Sequence, residues 1–236
     1  STRRLVGIAQ RLGKRIHVLH VTTAEEIEFL ALHKDVASVE LTPQHLTLEG
    51  PQDYERLKGY AQMNPPIRNA AHIAGLWTGI EHGVFDVLGS DHAPHTIEEK
   101  ARPYPASPSG MPGVQTLVPL MLTHVAQGRL SLERFIDLTS HGAQRVFGTA
   151  NKGRMAEGYD ADFSLVMWAP KQVPDELVQK FRQALLDGLK LPETAERLKA
   201  TDQLVIGSTP EEAAARIAKD YAKWGAVTKK IGLSLE

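Results

Sequence analysis

Three short aliphatic runs, each followed by polar loop residues, constrain the fold more than any other feature of the sequence. They are 15–22 (RIHVLHVT), 37–42 (ASVELT) and 85–90 (FDVLGS), and runs of this length and composition are typical of buried strands. Helical patterns end at Gly13 before the first run and occupy 69–82 before the third. Strands alternating with helices predict βα units and a parallel sheet, in which chemistry collects in the loops after the strands.

Beyond the third run, the sequence predicts a long loop, more helices and a change of character near residue 169. Pro, Gly and Ser dominate 102–113, and a loop of this length inside a compact domain is often a lid or a binding loop. Helical patterns follow it at 114–126, 132–138 and 142–147. Residues 152–166 predict a turn-rich β segment, whereas 171–236 predict a charged helical tail.

The composition excludes several classes of protein. The 27 basic and 28 acidic residues leave a net charge of −1, so no overall field favours nucleic acid or an anionic membrane. The absence of cysteine excludes disulfides, thiolate metal sites and a cysteine nucleophile. No stretch approaches the roughly 20 apolar residues that cross a bilayer. We therefore expect neither a nucleic-acid partner nor a membrane partner.

The strongest local signal is 89–95 (GSDHAPH), at the end of the third run. A carboxylate at the end of a buried strand is costly unless a positive or hydrogen-bonding group meets it. Asp91 is therefore a candidate metal ligand, and it is also a candidate acid or base toward a metal-activated water. The alternative is an ordinary loop carboxylate that caps a turn.

His20, near the end of the first run, is the second candidate ligand. In RIHVLHVTT, strand alternation puts His20 on the face opposite His17. A lone histidine in a strand is usually a core residue with satisfied hydrogen bonds, which is how we interpret His17. If the runs are parallel strands, however, His20 and Asp91 both project toward one edge of the sheet, and this favours a shared metal ion.

Weaker signals come from three other loops. His45 follows Pro43, and support of the site is favoured over direct metal ligation for it. Asn64, before two prolines, presents an amide that suits a cyclic amide or imide, although turn formation alone explains an asparagine there. Ser109 and Gly110 lie in a glycine-rich stretch that either brings bare backbone close to a ligand or is simply flexible.

Six short segments within residues 1–167 form a set that is far more specific than any one of them. The segments are 19–23 (LHVTT), 39–46 (VELTPQHL), 62–68 (QMNPPIR), 89–95 (GSDHAPH), 109–116 (SGMPGVQT) and 158–166 (GYDADFSLV). Together they resemble the dihydroorotases of the amidohydrolase superfamily. The resemblance implies an α/β fold, a partial (β/α)8 TIM barrel of the metal-dependent amidohydrolase type with a short β segment and a helical tail. It also implies interconversion of N-carbamoyl-aspartate and dihydroorotate in pyrimidine biosynthesis.

The resemblance assigns roles to individual residues. His20 matches the histidine ligand at the end of the sixth barrel strand, and Asp91 matches the eighth-strand aspartate that contacts the metal and moves the proton. Asn64 and His95 match substrate-binding positions, and Ser109–Gly110 match a backbone contact to the substrate ring. The implied cofactor is zinc, as one or two ions. The implied partner is a small-molecule substrate, and the family allows a homo-oligomer.

The resemblance also implies what the chain lacks. The family begins its barrel with a His-x-His pair and a substrate arginine, and it has a later Asp or carboxylated Lys ligand and a fifth-strand histidine. Nothing in the sequence matches these. We therefore expect barrel strands six to eight only, with two protein ligands where a catalytic zinc usually has three. This chain alone is expected to bind zinc weakly and to be inactive.

The tail, 170–236, resembles the carboxyl terminus of a different family, the tripartite tricarboxylate-type periplasmic solute receptors. The matching segments are 174–185, 192–198 and 208–233. The predicted division is a partial barrel at 1–150, a remnant of a small β-domain at 151–169 and this tail. The join near Trp168 indicates a fusion, a rearranged gene or an assembly artefact, and the sequence does not separate these. The alternatives to a cytoplasmic dihydroorotase-like enzyme are a non-catalytic solute-binding protein and a related hydantoinase or allantoinase.

Overall fold

The computed structural model describes residues 1–160 and 174–200, which belong to two separate compact units. The first unit contains three parallel strands, β1 (Ile16–Val18), β2 (Ala37–Leu41) and β3 (Val87–Leu88), with β2 in the middle. All three lie inside the predicted runs. The expected parallel sheet is therefore confirmed, although each strand is shorter than its run.

Helices connect the strands and continue beyond them. Those of the first unit are α1 (Thr2–Leu12), α2 (Ala24–Ala31), α3 (Pro43–Thr47), α4 (Gln52–Leu57), α5 (Ala70–Glu81), α6 (Ile97–Lys100), α7 (Leu117–Ala126), α8 (Leu132–Ile136) and α9 (Gly142–Phe147). A 3₁₀ turn (Lys58–Ala61) follows α4, and a π-helical turn (Asp137–His141) joins α8 to α9. The second unit contributes α10 (Asp175–Leu189) and α11 (Pro192–Ala200). Every helix in the described ranges is too short or too polar to span a bilayer.

Local sequence sets the ends of several of these helices. Gly13 ends α1 with φ 59°, a left-handed conformation that glycine adopts without steric cost. The Thr23 side chain begins α2 by accepting a hydrogen bond from the amide of Glu26. Asn69 begins α5 in the same way, by accepting from the amide of His72. The helix limits expected at Gly13 and Asn69 are confirmed.

The main core lies between one face of β2 and the helices. Ala37, Val39 and Leu41 are fully buried and share one face of the strand. They belong to one apolar cluster with side chains of α1, α2, α5 and α7. Ser38 and Glu40 lie on the opposite face and are partly exposed. The sheet thus has an apolar face covered by helices and a polar face, and the polar face carries part of the candidate site.

The predicted turn-rich β segment forms no strand in its described part, 152–160. Gly153 and Gly158 adopt φ 80° and 85° there, and such left-handed conformations interrupt an extended chain. Residues 161–173 and 201–236 lie outside the described residues. The rest of this segment and much of the predicted tail fall within those ranges.

The close packing of α5 against α2 gives a first prediction. A Cβ added to Gly75 of α5 would lie 2.4 Å from the Cβ of Ala24 in α2. Gly75→Ala should therefore lower the free energy of unfolding by about 1–3 kcal/mol, the usual cost of overpacking, although alanine is the better helix former. The measurement is urea denaturation.

Gly7→Ala in α1 is the matched control for this variant. The added methyl group would meet only the end of the Arg11 side chain, at 3.9 Å. Gly7→Ala should raise the free energy of unfolding by up to about 1 kcal/mol. Stabilisation by both substitutions would contradict the close packing inferred at Gly75.

Candidate metal and substrate site

His20 and Asp91 lie at the same edge of the sheet, on opposite sides of β2. His20 is two residues beyond the end of β1, and Asp91 is three residues beyond the end of β3. Because the strands are parallel, their carboxyl ends share one edge. This placement agrees with the expected pairing of the two residues, whose roles as metal ligands stay a prediction.

The predicted position of His20 inside the first strand is wrong. β1 ends at Val18, and the chain departs from the ladder at Leu19 and His20 before the amide of Val21 donates to the carbonyl of Glu40 (2.9 Å). The amide of His20 donates instead to the carboxylate of Glu40 (3.3 Å). The interruption acts as a β-bulge does, by changing the direction of a side chain. Strand alternation therefore does not decide where His20 points.

Both candidate ligands hold an unusual backbone conformation. The φ angle is 36° for His20 and 42° for Asp91, in the left-handed region that non-glycine residues seldom adopt. Such conformations cost on the order of 1–3 kcal/mol each and cluster at functional sites. Both residues are partly buried, and neither side chain forms a hydrogen bond or an ion pair with another described residue. Each side chain is thus available to an external ligand.

The loop that carries Asp91 is fixed from two sides. On one side, the side-chain amide of Gln44 donates to the carbonyl of Ser90 (2.9 Å). On the other side, a Cβ on Gly113 would lie 2.0 Å from that same oxygen, so the approach requires glycine. The amide of Gly113 also donates to Nδ1 of His92 (3.0 Å). Asp91 therefore lies between two neighbours whose positions are fixed.

The predicted substrate residues come together in one cluster of loops. Nε2 of His95 donates to the carbonyl of Ser109 (3.0 Å). The amide of Gly110 donates to the carbonyl of Gln62 (3.0 Å), and the side-chain amide of Gln62 donates to the hydroxyl of Ser109 (3.4 Å). Asn64, two residues beyond Gln62, lines a groove of about 1230 Å³ together with Ser109. Their binding of substrate stays a prediction.

His45 is buried and both of its ring nitrogens are bonded. Nδ1 accepts from the hydroxyl of Thr42 (2.6 Å), and Nε2 donates to the carbonyl of Pro65 (2.9 Å). Because a carbonyl oxygen only accepts, Nε2 carries a proton, and in the neutral imidazole Nδ1 is then the acceptor. Burial lowers the pKa of His45 from its ordinary value of 6.5, and the bond to Pro65 opposes part of this effect. These bonds agree with the supporting role favoured from the sequence.

Three ionisable neighbours also act on His45. His20 and Arg68 lower the pKa of His45 and Asp91 raises it, although burial has the largest effect. Arg68 itself donates from Nε to the hydroxyl of Thr22 (3.2 Å). His20 and Asp91 thus lie within electrostatic range of one imidazole at the end of β2.

The donor types at this edge suit zinc, but the donors are too few. Zinc binds imidazole nitrogen and carboxylate oxygen, and catalytic zinc usually has three protein ligands. Within residues 1–160 and 174–200, no three His, Cys, Asp or Glu side chains are grouped closely enough to hold a metal ion. His20 and Asp91 therefore fit part of a zinc site that the described residues do not complete.

Glu40 supports the site, although nothing singled it out in the sequence. Its carboxylate accepts the amide of His20 and lies 3.5 Å from Nε2 of His17. The same carboxylate packs on Gly89, where a Cβ would come within 2.5 Å of the carboxyl carbon. The Glu40 side chain is only 13% exposed. The available signal was the only charged side chain in the second strand run, 37–42.

Comparisons with known proteins agree with this geometry. A model of the amidohydrolase family matches residues 6–191. The chain is 40% identical over 170 residues to a dihydroorotase of Methanosarcina mazei, covering 67% of this chain and 37% of that protein. It is 39% identical over 166 residues to a dihydroorotase of Halobacterium salinarum, covering 70% and 39%. The chain thus spans a little over a third of the length of these relatives.

Solved structures of cyclic-amide hydrolases are similar as well. The L-hydantoinase (dihydropyrimidinase) of Arthrobacter aurescens matches with a TM-score of 0.65 and 33% identity, over 68% of this chain and 37% of that one. The dihydropyrimidinase of Brevibacillus agri matches over the same shares with a TM-score of 0.62 and 26% identity. The predicted partial barrel is confirmed by these matches. The family match continues beyond residue 167, where the sequence resemblance to dihydroorotases ends.

Relief of backbone strain gives a second prediction. His20→Gly and Asp91→Gly should each raise the free energy of unfolding by up to about 1 kcal/mol, because glycine adopts positive φ without steric cost and neither side chain has a described partner to lose. Ser90→Gly is the control, since Ser90 lies outside the left-handed region. This substitution should lower the free energy of unfolding by about 0.5–1 kcal/mol. Urea denaturation of the three variants is the measurement. If His20→Gly and Asp91→Gly lowered the free energy of unfolding as much as Ser90→Gly does, the inferred backbone strain would be contradicted.

The lowered pKa of His45 gives a third prediction, on pH dependence. The unfolded chain binds a proton at this histidine more readily than the folded chain does, so stability is complete above about pH 6.5 and falls as the pH drops below it. The slope attributable to one such group is at most about 1.4 kcal/mol per pH unit. His45→Gln should be less stable at pH 8 but should lose less stability between pH 7 and pH 5. His82→Gln, at an exposed histidine, is the control. If the free energy of unfolding depended on pH in the same way in the unmodified chain, His45→Gln and His82→Gln, the assignment of the pH dependence to His45 would be refuted.

Proposed function

The chain belongs to the amidohydrolase family, and from this premise we propose that it forms part of the active site of a dihydroorotase-like cyclic-amide hydrolase. The observation that carries the proposal is the pair of strained, unpartnered residues His20 and Asp91 at the carboxyl edge of the sheet. The 40% identity to a dihydroorotase over 170 residues supports the substrate class. The reaction is the interconversion of N-carbamoyl-aspartate and dihydroorotate.

In this proposal, the sheet edge holds the metal. His20 supplies an imidazole nitrogen and Asp91 a carboxylate oxygen to zinc, and Asp91 also moves the proton to or from the ring amide nitrogen. When bound, zinc supplies Lewis acidity to the carbonyl group that is attacked. The bonds of Gln44 to Ser90 and of Glu40 to His20 hold the two ligands in place.

The loop cluster binds the substrate in this proposal. Asn64 is exposed and its side chain has no hydrogen-bond partner among the described residues, so its amide is free to donate to and accept from a cyclic amide. His95 is fixed through its bond to Ser109. Gly110 has φ 137° and stands so close to Ala93 that a Cβ would lie 2.5 Å from that carbonyl oxygen. The loop can therefore bring its backbone to the substrate without an intervening side chain.

The two donors set a limit on what this chain does alone. A catalytic zinc usually has three protein ligands, and His20 and Asp91 are the two that the described residues offer. The remaining ligands come from outside the described residues in this proposal. We infer that the chain alone binds zinc weakly and does not turn over substrate. A cytoplasmic location accompanies the pyrimidine-biosynthetic role.

A hydantoinase or dihydropyrimidinase activity is the second candidate, since solved hydantoinase structures are similar at up to 33% identity. The two candidates differ in the ring that is hydrolysed, so binding of dihydroorotate against hydantoin separates them. The tail's resemblance to solute receptors, and with it a fusion near residue 169, stays a prediction of the sequence.

Zinc binding tests the proposal and is the fourth prediction. Titration calorimetry of the metal-free chain should give a dissociation constant weaker than micromolar. His20→Ala and Asp91→Ala should each weaken zinc binding further, by roughly 10-fold or more, since even outer partners of a zinc site act on that scale. His82→Ala, at an exposed helix end, should leave the zinc affinity unchanged.

Two results would go against this proposal in different ways. Unchanged zinc affinity in both His20→Ala and Asp91→Ala would remove these residues as ligands and, with them, the proposed site. Micromolar or tighter binding that both variants abolish would keep the ligands but show that the site is complete. Binding of N-carbamoyl-aspartate or dihydroorotate, measured in the presence of zinc with hydantoin as the comparison ligand, then decides the substrate class.

A further inference from the structure

Lys100, at the end of α6, is buried in a way that is unusual for lysine. The residue is 6% exposed, and lysine is almost never fully buried without a partner. Its ammonium donates to the carbonyl of Gln62 (2.8 Å) and to the carbonyl of Pro108 (2.9 Å). Among the described residues, no carboxylate forms an ion pair with Lys100.

The two carbonyls belong to the two segments that form the candidate substrate cluster. Gln62 precedes Asn64 by two residues, and Pro108 directly precedes Ser109. The carbonyl of Gln62 also accepts from the amide of Gly110 (3.0 Å). The carbonyl oxygen of Gln62 thus accepts two hydrogen bonds, one from the ammonium of Lys100 and one from the amide of Gly110. The same ammonium donates a second bond to Pro108, the residue before Ser109.

The backbone of Lys100 is itself held against the same two segments. The hydroxyl of Ser107 lies 3.2 Å from the carbonyl oxygens of both Gly59 and Lys100, and these two acceptors share its single hydrogen. A Cβ on Gly59 would lie 2.4 Å from the carbonyl oxygen of Lys100, so a larger residue at position 59 would push the segments apart. Both ends of Lys100 are therefore fixed at the junction.

We propose that Lys100 is a positioning residue, whose ammonium bridges the segment of Asn64 and the segment of Ser109 and so sets the width of the substrate groove. The proposal rests on the proposed function in one respect, namely that these two segments bind substrate. In this proposal, Lys100 acts on the substrate through the carbonyls of Gln62 and Pro108 and not by direct contact. The two bonds require donors that an apolar side chain of the same length lacks.

The cost of burying this side chain agrees with such a role. Burial lowers the pKa of Lys100, which means that the environment disfavours the ammonium and supplies no carboxylate to offset it. An apolar residue would fill this space without that cost. What lysine provides and an apolar residue would not is the pair of hydrogen bonds that joins the two loops.

The experiment uses the full chain and Lys100→Met, which keeps the length of the side chain and removes its donors. Amide hydrogen exchange of Gly110 is the first readout, and it should be about tenfold faster in the variant. The amide of Asp86, which donates to Val39 within the sheet, should exchange at an unchanged rate. Lys58→Met, an exposed lysine on the same groove, is the control and should leave both amides unchanged.

The second readout is the affinity for N-carbamoyl-aspartate in the presence of zinc. Lys100→Met should weaken it by about tenfold or more, since small misplacements of binding groups are costly, while zinc affinity stays unchanged. If the unmodified chain binds no N-carbamoyl-aspartate, dihydroorotate or hydantoin, the proposed function fails, and the exchange of Gly110 still decides whether Lys100 bridges the segments.

Two outcomes would overturn the positioning role. One is unchanged exchange of Gly110 in Lys100→Met. The other is equal acceleration at Gly110 and Asp86, which would make Lys100 a general stability residue. If Lys100→Met does not fold, Ser107→Ala loosens the same junction more mildly, and selective acceleration at Gly110 in that variant supports the bridge while its absence refutes it.

Discussion

The geometry of the candidate site depends on the pairing of β2 with both of its neighbours. Successive carbonyls of a strand point to opposite sides, and here the carbonyl of Glu40 accepts from Val21 while that of Leu41 accepts from Gly89 (2.9 and 2.8 Å). The first bond fixes the loop of His20, and the second fixes the start of the loop of Asp91. With strands about 4.8 Å apart, the two loops stand roughly 10 Å apart across β2, a distance from which both side chains can lean toward a common point.

The same strand also explains how the sheet tolerates strain at its edge. The Glu40 carboxylate accepts the amide of His20 where the ladder is interrupted, so this residue keeps a hydrogen bond in its left-handed conformation. Gly89 leaves room for that carboxylate beside β3. One acidic side chain therefore occupies the space between both loops. The carboxylate also lies 3.5 Å from Nε2 of His17, so Glu40 links that histidine to the backbone of His20.

Periodicity and capping predicted the parallel sheet and the helices that begin or end at Gly13 and Asn69, because these features depend on residues close together in the sequence. The resemblance carried by six motifs assigned substrate roles to residues of two loops, and these loops lie together in the structure. The direction of His20 was not predictable, since the bulge depends on a carboxylate 20 residues away. Lys100 was missed for the same reason: its acceptors lie on two other loops, one of them 38 residues away, and no local pattern distinguishes a buried lysine from a surface one.

The metal half and the substrate half of the site rest on different parts of the molecule. The loops of His20 and Asp91 follow strands of the sheet, which packs on the main core. The segments of the substrate cluster pack on a second, smaller apolar cluster formed by Ala61, Met63, Ile67 and Met111. A cluster of four buried residues contributes far less hydrophobic stabilisation than the main core, so the substrate half should open locally at a lower free energy than global unfolding requires. Polar bridges such as the one from Lys100 matter most in such a region, because little apolar burial is available to hold it closed.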